Sequence, residues 1–312
     1  KLKEVKMAKA IVLFSGGLDS QLACLILMKE GVQVTPVFFE TYFFRGEMAK
    51  KYASEIGLTI RIEDISEEHL KMVQNPLHGY GKNMNPCVDC HMLMIKKAKE
   101  IMESEGFDFI VTGEVLDERP FSQRYNVFEE METALNLKGK IVRPLSQKLL
   151  EESVPEKEGW IKRENMLEIK GRSRKPQIEL ARKFGLTVFE TPASGCILTD
   201  PAYSERLRNL RKINPIFDGN DTQIIRNGRV VFENDSVIVI GRNEKEDKIL
   251  ETLKKEKDVV LKPIFPGPTV LVRPFKERIN EEFIERAKKL LISYSKKAPK
   301  DATEKIEIIK GA

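Results

Sequence analysis

Through the first two hundred residues, short continuous apolar runs alternate with stretches in which apolar residues recur at helical spacing. Ala10–Phe14 (AIVLF) has the solid hydrophobicity of a strand buried on both faces. Leu22, Leu25, Ile26 and Met28 then mark one helix face, and Gly31 stands where a helix-ending glycine belongs. The same reading gives strands at Val32–Phe39, Leu58–Ile65, Phe107–Val111, Lys140–Pro144 and Leu186–Phe189. It gives helices from about Gly46 to Ile56, closed by Gly57, and over Lys96–Met102, ending at Gly106. Strands alternating with helices at this spacing predict right-handed βαβ units. The fold class is therefore α/β, a doubly wound parallel sheet with helices on both faces. In such sheets ligands bind beyond the carboxyl ends of the strands.

From about residue 203 the pattern changes. Arg229–Phe232, Ser236–Ile240, Val259–Phe265 and Thr269–Val272 read as strands, the last two separated by the turn Pro266-Gly267-Pro268. Asn243, with Glu246 three residues on, reads as a capped helix start. Phe283, Ala287, Leu290 and Leu291 line one face of a helix running on from Asn280. We expect two domains, residues 1–202 and a smaller α+β domain over residues 203–312. Lys296–Ala312 reads as a mobile tail.

With 41% hydrophobic and 32% charged residues, the 312-residue chain has material for a sizeable core. Its net charge of +5 is uneven. Residues 1–200 carry 29 basic and 30 acidic side chains, while residues 201–312 carry 24 and 18. The basic last third suits an anionic partner, although abundant Lys and Glu is equally a thermophile's composition. No run approaches the roughly 18 apolar residues that span a bilayer. The opening KLKEVKMAKAIVLF reads as a strand rather than a signal peptide. We therefore expect a soluble cytoplasmic protein with no membrane partner. The four cysteines, Cys24, Cys87, Cys90 and Cys196, are too few for a disulfide scaffold. Cys24 falls within the apolar stripe of the first helix and reads as core.

The strongest local signal is Ser15-Gly16-Gly17-Leu18-Asp19-Ser20, directly after the first strand. Two glycines allow a sharp turn and a close ligand approach, and the helix that follows aims free N–H groups at the loop. Asp19 would repel a bare phosphate, but suits a divalent cation that bridges carboxylate and phosphate. The bland alternative is a plain capping turn. The loop is neither a Walker loop nor a dinucleotide fingerprint. In this setting the hexapeptide resembles the signature of the PP-loop ATP pyrophosphatases, which cleave ATP between its α- and β-phosphates and adenylate a carbonyl oxygen. The resemblance implies that Ser15, Gly16, Gly17, Asp19 and Ser20 hold pyrophosphate and Mg²⁺.

Asn85-Pro86-Cys87-Val88-Asp89-Cys90 supplies a C-x-x-C pair, and Cys196 ends Pro192-Ala193-Ser194-Gly195-Cys196, read as an exposed loop. Read as chemistry, the three cysteines leave four options. They are haem attachment through Cys90-His91, structural zinc with His91 as fourth ligand, a dithiol or persulfide carrier, and an iron–sulfur cluster with one iron open. Haem attachment is an extracytosolic process and fits poorly. Asn-Pro-Cys-x-x-Cys, Thr112-Gly113-Glu114, Arg143-Pro144-Leu145-Ser146 and the late Pro-Ala-Ser-Gly-Cys resemble the tRNA-thiolation branch of the PP-loop family. That resemblance spans about residues 8–205. It implies catalytic roles for Cys90, Cys196 and Asp19, and a place for Gly113 in the ATP site. It also implies a 4Fe–4S cluster on Cys87, Cys90 and Cys196, as in the three-cysteine thiolases. In the common bacterial thiouridylases an acidic residue holds the place of Cys87, and Thr-Gly-His holds that of Thr112-Gly113-Glu114.

Residues 160–183 carry eight cations against three glutamates, and Arg206, Arg208, Arg211 and Lys212 follow the last cysteine. Arg172, Arg174, Lys175, Arg206 and Arg208 are the candidate contacts to an RNA backbone. Solvated helix faces are the alternative. The expected activity is adenylation of a uracil carbonyl oxygen followed by sulfur transfer to tRNA. Its cofactors are ATP, Mg²⁺ and the cluster. Its partners are tRNA and a sulfur donor, which is a cysteine desulfurase, a sulfur carrier or free sulfide. A homodimer is left open. The rival readings are a small-molecule PP-loop ligase or nitrile-forming enzyme with structural zinc, and a non-catalytic RNA-binding protein.

Overall fold

A computed structural model describes residues 7–189, 196–276, 279 and 281–311. The chain divides into two compact units, Lys1–Gly81 with Asn85–Cys196, and Lys82–Met84 with Ile197–Ala312.

The first unit runs β1 (Lys9–Leu13), α1 (Leu18–Lys29), β2 (Gln33–Glu40), α2 (Glu47–Glu55), β3 (Arg61–Asp64), α3 (Ser66–Gln74), α4 (Cys87–Glu105), β4 (Phe109–Thr112), α5 (Tyr125–Ala134), β5 (Ile141–Val142), α6 (Val154–Lys157) and α7 (Lys175–Lys183). The five strands form one sheet in the order β3-β2-β1-β4-β5, every pair parallel. Successive side chains of a strand point to opposite faces, and β1 shows the consequence. Ala10 and Val12 join Leu18, Leu22 and Ala181 in one core. Ile11 joins Ile95, Ala98, Met102 and Met131 on the other face. The expected doubly wound α/β sheet is the observed one.

The strand order reverses between β1 and β4, so the loops leaving these two strands lie side by side at the sheet's switch point. Three local readings differ from the outcome. Leu186–Phe189 is irregular, with no strand, because its apolar residues pack on the β1–α1 core from a loop. The strands Leu58–Ile65 and Lys140–Pro144 shrink to Arg61–Asp64 and Ile141–Val142. The helix read over Lys96–Met102 begins nine residues earlier, at Cys87, and closes on Gly106 at φ 72°.

The second unit contains α8 (Pro201–Ile213), α9 (Gly219–Arg226), β6 (Arg229–Glu233), β7 (Ser236–Ile240), α10 (Glu244–Thr252), β8 (Val259–Pro263), β9 (Val270–Pro274), α11 (Glu281–Ser293) and β10 (Ile306–Lys310). Its sheet is antiparallel, in the order β10-β8-β9-β7-β6. Phe283, Ala287 and Leu291 of α11 pack on Ile238, Leu261 and Val272. Asn243 caps α10, accepting from Glu246 N at 3.1 Å. The tail reading fails: Ile306–Lys310 pairs along the whole of β8, and Ile306 is buried.

Candidate active site

The turn after β1 is built for close approach. Gly16 has φ 83°, and a Cβ there would lie 2.9 Å from the Tyr52 ring. The Gly17 N–H donates to Ser15 Oγ at 3.2 Å, and Ser20 Oγ donates to the Gly17 carbonyl at 2.8 Å. Gln21 Nε2 fixes the Gly16 carbonyl at 2.9 Å. Asp19 therefore stands in the first turn of α1, beside that turn's N–H groups. Burial and the neighbouring Glu118 push its carboxyl up to about 6, against the opposing pull of Arg174. Arg174 Nη1 donates to Asp19 Oδ2 at 2.6 Å and also to Glu118. Asp19 Oδ1 is buried and finds no partner among the described residues.

Gly113 leaves β4 against this turn. A Cβ there would sit 2.6 Å from Ser20 N and 2.7 Å from the Asp19 carbonyl carbon. Glycine is thus required by contact.

The cysteine pair opens α4. Cys87 is the first residue of the helix, and Cys90 and His91 follow at i+3 and i+4, so all three share a face. Cys87 Sγ donates to Ser122 Oγ at 3.2 Å and is also hydrogen-bonded by His91. His91 Nδ1 donates to Glu114 Oε1 at 2.8 Å. Glu114 Oε2 accepts from Thr112 Oγ1 at 3.0 Å and from Arg143 Nε at 3.1 Å.

The result is a thiol–imidazole–carboxylate chain anchored on a buried arginine. Burial pushes the Cys87 thiol up, but His91, Ser122 and Arg119 outweigh it and bring the group down to about 7. Burial pushes His91 down, and Cys87 and Glu114 outweigh it to about 10. Burial likewise pushes Glu114 up, and His91, Arg143 and Thr112 hold it at about 2. Cys90 differs. Burial and the neighbouring Cys196, Cys87 and Asp89 raise its thiol well above the ordinary range. His69 Nε2 lies 3.4 Å from Cys90 Sγ, and burial keeps that imidazole neutral, at about 4. Asp89, between the two cysteines, turns to His78.

All three sequence-marked thiols fall in one electrostatic neighbourhood, since Cys196 and Cys87 both act on Cys90. Pro192–Gly195 lie outside the described residues. Cys24 is fully buried in the β1–α1 core, as its stripe position predicts. Among the described residues, no three His, Cys, Asp or Glu side chains are placed to hold a metal ion. The three thiols have the donor chemistry of a cluster site, but this arrangement engages Cys87 with His91 and Ser122 instead.

The cations divide. Arg172, Lys175 and Arg208 are exposed. Arg206 is half-buried and donates to the Ile225 carbonyl at 3.0 Å. Arg174, read as an RNA contact, is here committed to Asp19 and Glu118. Sequence reasoning gave no role to Glu114, Glu118, Arg119 or Ser122. All lie on the loop between β4 and α5, and the spacing of His91 from Cys87 was the one helical signal pointing there.

Residues 6–147 match the family model described as thiamine biosynthesis protein (ThiI). A probable tRNA sulfurtransferase of Methanosarcina mazei is 30% identical over 131 residues, covering 39% of this chain and 32% of that protein. The chain resembles the tRNA-thiolation branch of the PP-loop ATP pyrophosphatases. A tRNA-specific 2-thiouridylase MnmA of Leptospira interrogans is 26% identical and covers 72% of this chain and 61% of its own length. The chain therefore spans from a third to three fifths of these relatives. A 4-thiouridine synthetase–RNA complex with bound ATP aligns at TM-score 0.42 and 18% identity, over 70% of this chain and 52% of that one. In the second unit, residues 228–310 match the model of the NFACT protein RNA binding domain. Glu114, where the resemblance led us to expect a histidine, pairs with His91.

Proposed function

We propose that this protein is an ATP-dependent tRNA uridine thiolase, in which residues 1–202 adenylate and sulfurate a uracil and residues 203–312 help hold the RNA. One observation carries the reading: a single loop, residues 113–122, packs on the glycine turn at Gly113 and bonds the Cys87 thiol at Ser122. Nucleotide chemistry and sulfur chemistry thereby share one floor.

A uracil carbonyl resists substitution because oxide is a poor leaving group. Its oxygen attacks the α-phosphorus of ATP, pyrophosphate departs with the bonding pair, and the ring nitrogen gives up its proton. Ser15, Gly16, Gly17, Ser20 and Gly113 cradle the phosphates, and the α1 first-turn N–H groups face the departing charge. The buried, unpartnered Oδ1 of Asp19 suits Mg²⁺, which would neutralise the triphosphate when bound.

A persulfide on Cys196, loaded by the sulfur donor, then attacks the activated carbon through its outer sulfur, and AMP leaves. Cys87 attacks Cys196 Sγ, releasing the thiouridine and leaving a Cys87–Cys196 disulfide. An external dithiol reopens that bond with two electrons. The resemblance gives Cys90 a catalytic role as well. The hydrogen bonds of His91 and Ser122 favour Cys87 for the attack on Cys196 Sγ, and the raised Cys90 thiol speaks against Cys90. Arg172, Lys175, Arg206 and Arg208 are proposed phosphate contacts.

The shared electrostatic neighbourhood of the three thiols favours one second reading, a 4Fe–4S cluster on Cys87, Cys90 and Cys196 that delivers sulfide. Full-length protein purified without air, given ATP, tRNA and a sulfur source, is expected to form AMP, pyrophosphate and thiouridine, read by nucleoside mass spectrometry. ADP as the only nucleotide product overturns the proposal. Iron and a brown colour select the cluster route. A colourless zinc protein that leaves tRNA untouched selects a small-molecule ligase.

A further inference from the structure

Between Glu118 and Ser122, the loop after β4 carries a single cation, Arg119. Glu118 at one side of it pairs with Arg174, which pairs with Asp19. Ser122 at the other side holds Cys87 at 3.2 Å. Arg119 stands between them. Its position is fixed by backbone: Arg119 N donates to Gln123 Oε1 at 3.1 Å, and Gln123 N donates to the Arg119 carbonyl at 3.0 Å. Its side chain is exposed and makes no ion pair among the described residues. Its neighbours along the loop set it between the two chemistries: Glu118 ties one side to Asp19 of the glycine turn through Arg174, and Ser122 ties the other to the Cys87 thiol.

Arg174 supplies the contrast. It is shared by two carboxylates, so its charge is cancelled where it lies. The chemistry proposed above has an unmet need that Arg119 answers. An anionic sulfur must approach a carbon whose leaving group is an anionic phosphate ester, and two anions approach only with a cation beside them. A guanidinium also matches phosphate oxygens in a two-pronged geometry.

We propose that Arg119 is a catalytic residue that grips the α-phosphate, first in ATP and then in the adenylated uracil. The inference rests on the thiolation reading. It adds a phosphate-binding role for a residue outside the glycine turn, and it makes the sulfur step as well as the adenylation step depend on that residue.

The test uses the full-length protein and its Arg119→Ala and Arg119→Lys variants. Four quantities are read: AMP formation with its KM for ATP, the KM for tRNA, single-turnover thiouridine formation from persulfide-loaded protein, and the thermal midpoint. Arg119→Ala should lower kcat for thiouridine on the order of 10²-fold, the usual cost of one lost charge-stabilising donor, and raise the KM for ATP. Its thermal midpoint should stay put, because the side chain is exposed and unpaired. Arg119→Lys should recover part of the rate through its charge.

If wild-type protein is active and Arg119→Ala keeps both half-reactions within about threefold, the inference fails alone. It also fails if only the KM for tRNA rises while AMP formation is unchanged, which marks a plain RNA contact. If wild-type protein makes neither AMP nor thiouridine, the thiolation reading fails and takes the inference with it.

Discussion

Among the described residues each unit buries one arginine, and the two are treated differently. In the second unit Arg273 is 2% exposed and every donor is met. Nε and Nη2 bond Asp258, Nη1 bonds Asp221 and Asn220, and Nη2 also bonds the Leu253 carbonyl. In the first unit Arg143 is 1% exposed, with Nε on Glu114 and Nη1 on Glu132. Its Nη2 is buried and has no partner among the described residues, and the guanidinium lies over the Phe128 ring. A closed network holds a frame. The network around Arg143 instead runs outward through Glu114 and His91 to a thiol. Local rules of polar satisfaction tend to be broken at functional sites, and here the incomplete network is the one attached to reactive chemistry.

The sharpest way to break this contrast is Asp258→Ala, which takes one of two carboxylates from a buried guanidinium and leaves its Nε unmet. It should cost about 3–5 kcal/mol in thermal or denaturant unfolding, the usual penalty for halving a buried pair. A cost under about 1 kcal/mol would show that Arg273 carries no frame. Glu114→Gln comes next. It should cost about 1–3 kcal/mol of stability. The variant should also lose thiouridine formation on the order of 10²-fold at temperatures where it stays folded. Activity that falls only in step with unfolding would make the Arg143 network as purely structural as the other.

The thiol itself gives a third test. Because Cys87 is brought down to about 7, its alkylation rate should rise with pH through a midpoint near 7. In His91→Gln the midpoint should move up toward the ordinary thiol range. An unchanged midpoint would sever the link between His91 and Cys87. Glu114 offers a related reading. Held at about 2 against an ordinary 4.5, its contribution to stability is in full force above 4.5. It is lost as pH falls from there through 2. The smallest effects belong to the surface: Arg208→Ala or Arg172→Ala should each reduce the salt slope of tRNA binding by about 1, read by filter binding across ionic strengths. No change in slope would return these residues to solvated helix faces.

What could be read beforehand was whatever the chain states locally. The AIVLF run, the glycine turn and the helix behind it are contiguous, and their order alone places the turn at a strand's carboxyl end. The start of α4 at the C-x-x-C pair was also written locally, in the Asn-Pro before it, yet the apolar spacing alone placed that helix only from Lys96. What could not be read depends on distant pairs. Arg174 meets Asp19 across 155 residues, and His91 meets Glu114 across 23 and an intervening strand. The departure at Glu114 from the motif of the resemblance carries no meaning in the sequence; its partner His91 is visible only in the fold. At Ile306–Lys310 only pairing with β8 distinguishes a strand from a tail. Leu186–Phe189 errs the other way, its apolar residues satisfied by packing without a ladder.

The bare α-carbon of Gly113 has a mechanical consequence. With backbone seated where any methyl would collide, the two loops meet like cogs without backlash. On the proposed reading, a triphosphate seated on that turn would press on residues 113–122, the segment whose far end bonds the Cys87 thiol. Filling one half of the site would then be felt at the other.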